Sequence, residues 1–141
     1  MINPQITPDH LNKLSKNTLV SHLGIECTEV GKDYLSGKMP VDDRTRQPMG
    51  LLHGGASVVL AETLGSIGSS CCIDLNTHFC VGLEINANHV KAVKEGFVYG
   101  KASLIHFGRK THIWDIKIVN EMNELVCISR LTMAILPKKQ E

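Results

Sequence analysis

Residues 50–72 read GLLHGGASVVLAETLGSIGSSCC, and Glu62 is the one acid among small and apolar neighbours. An ionised carboxylate in apolar surroundings costs several kcal/mol, or its pKa rises. Chains keep such a group when it is paired or used. No Lys or Arg stands from position 47 to 90, and the neighbours one turn away, Val58, Val59, Gly65 and Ser66, carry no charge. Glu62 is therefore a candidate for chemistry; the alternative is a narrow stripe facing solvent. Ser66 follows one turn later on the same face. Its hydroxyl either holds a water beside the carboxylate or serves as a small residue for close packing.

The same segment opens with His53-Gly54-Gly55. The first N–H groups of a helix lack internal partners and lie at the positive end of its dipole. Glycine leaves the approach open, so this start suits a developing oxyanion. Gly54 and Glu62 are eight residues apart, roughly 12 Å along a helix axis. One small carbonyl does not touch both. If both act on one carbon, they come from two copies of the chain, and a two-fold dimer with paired helices gives two equivalent sites.

These residues need a scaffold. Thr7-Pro8-Asp9 caps a short helix running to about Lys16. Residues 25–30 read as a strand, then a turn at Gly31-Lys32-Asp33. In YLSGKMPV, Leu35, Gly37, Met39 and Val41 share one face, the period of a half-buried strand. A polar loop, DDRTRQPMG, leads into the helix. Four strands follow. Val81, Leu83, Ile85 and Ala87 alternate with Gly82, Glu84, Asn86 and Asn88; the others span 97–106, 111–119 and 125–136. Short connections imply antiparallel pairing. The fold class is α+β: a curved antiparallel sheet around one long helix, which is apolar nearly all round and so needs cover on more than one side.

The chain's 141 residues fit one domain, 1–141, with a helical arm at 1–17 and a fraying tail at 137–141. Fifteen basic against fourteen acidic residues leave a net charge of +1, without the basic excess a nucleic-acid binder needs. Residues 50–72 have the length of a membrane span, but Gly, Ser, His53 and Glu62 argue against one. The N-terminus lacks an apolar signal region. Cys27, Cys71, Cys72, Cys80 and Cys127 show no disulfide or zinc spacing and read as reduced thiols of a cytoplasmic protein.

Three stretches, QPMGLLHGGASVVLAETLGS, VGLEINANHVK and LIHFGRKTHIWDI, occur in the order that resembles the hotdog-fold acyl-CoA thioesterases of the phenylacetate-degradation type. The likeness runs over about residues 20–136. It implies a sheet wrapped around a central helix, dimers and usually homotetramers, and thioester hydrolysis without a metal or cofactor, coenzyme A being part of the substrate. It implies that Glu62 acts as nucleophile or general base, that the Gly54 N–H is the oxyanion donor with His53 beside it, and that Ser66 positions water. It places Gln47 against the carbonyl from the partner subunit, the two helix ends coming from different subunits. The expected acyl group is aromatic, such as 1,4-dihydroxy-2-naphthoyl in menaquinone synthesis. The alternative is a proofreading or general aryl or medium-chain thioesterase acting on CoA or carrier-protein esters.

A thioester is a good electrophile, so one carboxylate beside a polarised carbonyl suffices; no Gly-x-Ser-x-Gly elbow is present. The resemblance puts coenzyme A along His89, Val90, Lys91 and Ala92 and along the turn His106, Phe107, Gly108, Arg109, Lys110 and Thr111. Lys91, Arg109 and Lys110 are candidate phosphate partners, although relatives often carry Arg at the position of Lys91. Gly82 leaves room for the pantetheine arm. A non-catalytic acyl-CoA-binding module is disfavoured because it has no use for Glu62 and is often fused to a DNA-binding segment for which this length leaves no room. A hotdog dehydratase is disfavoured because the His-Phe-Pro-Gly stretch is missing.

Overall fold

The computed structural model describes residues 1–139. The arm folds as two short helices, α1 (Pro8–Leu14) and α2 (Leu19–His22), before the strands β1 (Glu26–Val30) and β2 (Tyr34–Pro40). The long helix α3 (Gly54–Ser70) follows, then β3 (His78–His89), β4 (Phe97–Phe107), β5 (Thr111–Val119) and β6 (Leu125–Pro137). All pairings are antiparallel, in the order β1-β2-β4-β5-β6-β3. The expected α+β hotdog architecture is therefore present. Among the described residues no helix is long and apolar enough to cross a membrane.

The strand patterns explain the layer. Leu35, Met39 and Val41 are buried as their alternation requires. His112, Trp114, Ile116 and Ile118 of β5 are buried as well, one residue in two. Trp114 sets how closely α3 approaches: a Cβ at Gly68 would stand 2.6 Å from its ring, and one at Gly65 2.5 Å from Leu131. The Trp114 indole N–H donates to Ser69 Oγ at 2.8 Å, so the buried polar edge of the ring is satisfied. Ser69 also lies 3.1 Å from His112 Nδ1.

Four expectations change. The sheet covers one side of α3 only: Leu60, Ala61, Leu64, Gly65 and Gly68 are buried, whereas Val59, Glu62, Thr63, Ser66 and Ile67 stay half-exposed. In β3 the register slips between Gly82 and Glu84, so Leu83 is the extra residue of a bulge. A bulge reverses which face each side chain takes; Ile85 and Ala87 pack on the core while Val81 and Leu83 are 42% and 62% exposed. α2 is a single turn without an apolar period of its own. Finally, Lys138 does not fray: its N–H donates to the Thr77 carbonyl at 2.8 Å and its ammonium to that of Leu75. Residues 140–141 of the tail lie outside the described residues.

Candidate active site

At the start of α3, the loop after β2 is pinned by backbone bonds from Leu52 to Val93 and from His53 to Thr45. Gly50, at φ +79°, lets the chain turn so that its N–H reaches the Gln47 carbonyl at 2.9 Å. Gln47 Oε1 accepts the Met49 N–H, which leaves the amide nitrogen to donate elsewhere. His53 is the N-cap, and its Nδ1 accepts the Gly55 N–H at 2.8 Å. The Gly54 N–H has no acceptor among the described residues. His89 lies against it: a Cβ at Gly54 would be 2.8 Å from the imidazole Nε2. Gln47, Gly54, Ser57, His89 and Lys91 line one cavity of about 310 Å³, with Val90 and Ala92 on its rim. A free, dipole-backed N–H at the wall of a cavity is a place where a developing negative charge could be held.

Two turns along α3, Glu62 opens into a second cavity of about 320 Å³ with Leu19, Val20, Val59, Ser66 and Ile67. Among the described residues its carboxylate has no salt-bridge partner. A Cβ at Gly82 would stand 2.5 Å from Glu62 Oε1. The missing side chain at 82 is thus the seat of the carboxylate, a tighter role than room for a pantetheine arm. Ser66 shares the cavity, but its hydroxyl points at Met133 Sδ, 3.6 Å away.

One chain brings Gln47, Gly54, His53 and His89–Ala92 together at one end, and Glu62, Ser66 and Gly82 together in the middle. It does not unite the two groups. The turn after β4 is farther still. It lies beside the start of β3, where Phe107, Gly108 and Arg109 share a shallow cavity with His78 and His112. His89 closes the other end of that twelve-residue strand, roughly 36 Å away. Within the turn, Gly108 donates to the Thr111 carbonyl at 2.9 Å, with His106 beside it. Arg109 and Lys110 are exposed and enter no ion pair among the described residues.

Lys91 differs: its Nζ is 2.8 Å from Glu124 Oε1, and this ammonium, followed by the Asn120 amide, holds the Glu124 carboxyl below its ordinary pKa. A phosphate at Lys91 competes with that pair. Sequence reading also passed over Ser57, Leu19 and Val20, which line the two cavities. For Leu19-Val20 a signal existed, two adjacent apolar residues after the polar arm; for Glu124 none did, since its partner is 33 residues away.

Comparison with known proteins agrees with this fold. The thioesterase superfamily model matches residues 49–127. The 1,4-dihydroxy-2-naphthoyl-CoA hydrolase of Escherichia coli strain K12 is 48% identical over 132 residues, 94% of this chain and 96% of that one. A thioesterase of Pseudomonas aeruginosa, solved as a glutamine-to-alanine variant, superposes with a TM-score of 0.95 at 46% identity, covering 97% of this chain and 99% of that one. A Staphylococcus aureus thioesterase, solved as a glutamate-to-alanine variant, gives 0.83 at 42% identity over 85% and 99% of the two chains. Its glutamine-to-alanine variant gives 0.82 at 41% over 84% and 98%. The chain belongs to the thioesterase superfamily and is a hotdog-fold hydrolase of the thioesterase type.

Proposed function

We propose that this protein hydrolyses acyl-CoA-type thioesters over a range of acyl groups, with each site built from two copies of the chain. The observation that carries the reading is the placement on one rod, in separate cavities, of a Gly54 N–H and a Glu62 carboxylate that have no partner among the described residues. The spacing of altered residues in the Staphylococcus aureus relative supports it. There the replaced glutamine and glutamate stand fifteen positions apart, as Gln47 and Glu62 do here.

Pairing is supported by two uncovered surfaces. β3 is a sheet edge of twelve residues with exposed Phe79, Val81 and Leu83, and long bare edges take a partner. The open face of α3 lies beside it. A two-fold axis near the middle of β3 sets the end of one strand against the start of the other. That brings Gln47, Gly54 and Lys91 of one copy toward Glu62, Arg109 and Lys110 of the other. Dimers, and tetramers built from them, follow from this reading.

In the reaction, the carbonyl oxygen accepts from the Gly54 N–H and the Gln47 amide. Glu62 takes a proton from water, whose oxygen attacks the carbonyl carbon; direct attack by the carboxylate is the variant route. The tetrahedral oxyanion is held at the helix start. Its collapse breaks the C–S bond, and the departing thiolate takes the proton from Glu62. Glu62→Gln is expected to lower thiol release by about a thousandfold or more while CoA affinity changes less than about threefold. Near-normal turnover in that variant would remove Glu62 from the mechanism.

A second reading, a dedicated 1,4-dihydroxy-2-naphthoyl-CoA hydrolase, is favoured by the Escherichia coli relative. The Pseudomonas aeruginosa thioesterase is at least as similar in sequence and its name gives no acyl group. Ranked kcat/KM values for naphthoyl, benzoyl and fatty acyl esters decide: a lead of a hundredfold or more for the naphthoyl ester, about the most that pocket fit alone supplies, selects the second reading.

A further inference from the structure

The largest cavity described, about 410 Å³, lies under the N-terminal arm. Its walls are Ile6, Leu11 and Leu14 of the arm, with Ile67 and Ser70 of α3 and Cys71 at its C-cap as the floor. Val20 and Ile67 also line the Glu62 cavity, so the two spaces adjoin. Glu62, Ser66, Ile67, Ser70 and Cys71 form one strip along the open face of α3, at helical spacing. From Glu62 to Ser70 the strip runs roughly 12 Å. Among the described residues no Lys, Arg, Asp or Glu lines the arm cavity, and its polar lining is His10, Ser15, Thr18 and Ser70. Its volume is that of a ligand pocket, not of a packing defect.

The arm is a built wall. Asn12 completes the bare edge of β1: its amide donates to the Cys27 carbonyl at 3.0 Å and accepts the Cys27 N–H at 2.8 Å. Ile2 and Leu11 are buried in the core, and the Ile2 N–H donates to Lys32. Yet Leu14 and Leu75, at the cavity, remain 68% and 52% exposed. A fixed arm that holds apolar side chains open over a largely apolar floor is arranged to be filled.

We infer that the acyl group runs from Glu62 along this strip and ends under the arm, so that the arm selects uncharged, apolar acyl groups of medium length. The inference rests on the thioesterase reading above. It also fixes direction, because the cavity holding Gln47 and Lys91 is left for the polar pantetheine and phosphates. Binding would cover Leu14 and Leu75, and each added methylene finds apolar wall until the cavity is full.

The test is a ladder of straight-chain esters from butyryl- to dodecanoyl-CoA, for the wild type, Ser70→Phe and Leu14→Glu. The readout is the decanoyl-to-butyryl ratio of kcat/KM, which does not depend on the fraction of enzyme that folds. The wild type is expected to prefer decanoyl. Ser70→Phe fills the floor and should lower the ratio by about tenfold or more, and Leu14→Glu, a substitution at an exposed site, by about threefold. A flat wild-type ladder with good turnover overturns the inference and leaves the thioesterase reading standing. So does a ratio unchanged in both variants, which would assign the cavity to some other occupant such as a second copy of the chain. Absence of turnover on every CoA ester would instead sink the thioesterase reading.

Discussion

The two faces of α3 are built on opposite rules. On the sheet side, Leu60, Leu64, Gly65 and Gly68 are buried, and the buried polar groups Ser69, Trp114 and His112 satisfy one another. On the open side, Glu62 has no ion-pair partner among the described residues, Ser66 faces a sulfur, and cavities adjoin along the helix. The helix start shares the open character, since His53 satisfies the Gly55 N–H and leaves that of Gly54 uncommitted. One face is settled so that the other can hold unsatisfied groups at fixed positions. That is the expected division between packing and chemistry in a preorganised site.

The sharpest way to break this comparison is to remove the Gly54 donor without disturbing the helix. Gly54 is the first residue of α3, a position that tolerates proline because its N–H has no helical partner. His53 is extended, at φ −69° and ψ 129°, as a following proline requires. The ring would push on the exposed end of His89, which is free to swing. Gly54→Pro is expected to lower turnover by about a hundred- to a thousandfold. Refolded together with Glu62→Gln, it should recover about a quarter of wild-type activity, since half the dimers are mixed and each has one intact site of two. Recovery no greater than that of either variant alone would place both residues in one chain's site.

Gly82→Ala probes the seat of the carboxylate. The new Cβ would stand 2.5 Å from Glu62 Oε1, and the flexible end of the side chain must give way. A displacement of about an ångström is expected to cost ten- to a hundredfold in kcat with KM little changed. An equal loss in KM would make Gly82 a substrate contact instead. Gly68→Val tests the settled face. Trp114 is fully buried and tied to Ser69, so the 2.6 Å clash cannot relax cheaply. A loss of about 1–3 kcal/mol in urea unfolding is expected, against less than about 0.5 kcal/mol for Thr63→Ala on the open face. Equal losses would erase the distinction.

Much of this architecture was legible in the residues. Leu35, Met39 and Val41 declare the buried face of β2 by alternation, and the run from Gly54 to Ser70 declares a helix by its length. The oddity of Glu62 was legible too, because an acid without a local base stands out in an apolar run. What stayed hidden depends on contacts that periodicity does not encode. The bulge at Leu83 shifts one residue and exchanges the faces of β3; its one sign is the neighbouring Gly82, and a strand glycine marks a close approach as readily as a bulge. Gly82 reads as an open strand position until its Cα is seen under Glu62. Lys91 reads as a free cation until Glu124 arrives from the β5–β6 turn. The arm reads as a short capped helix, and only the pairing of Asn12 with β1 turns it into a wall.

The smallest expected effect separates the faces by pH. His112 is 1% exposed and sits between Ser69 and the Phe107 ring, whose centroid is 4.9 Å away. Burial pushes its pKa down, with the chain's amino terminus and then His106 adding in the same direction. The folded protein therefore holds His112 neutral where the unfolded chain, near the ordinary 6.5, has begun to bind a proton. The unfolded state binds more protons in that window, so stability rises with pH there. The contribution is present above about 6.5 and is lost as pH falls through the lowered folded value. His112→Gln keeps an acceptor for Ser69 but does not titrate. The drop in unfolding midpoint from pH 7.5 to 5.5 is expected to be smaller in this variant than in the wild type, all other titrating groups being common to both. Parallel drops would mean that the proton reaches His112 in the folded state without penalty, and that the settled face is less closed than its packing implies.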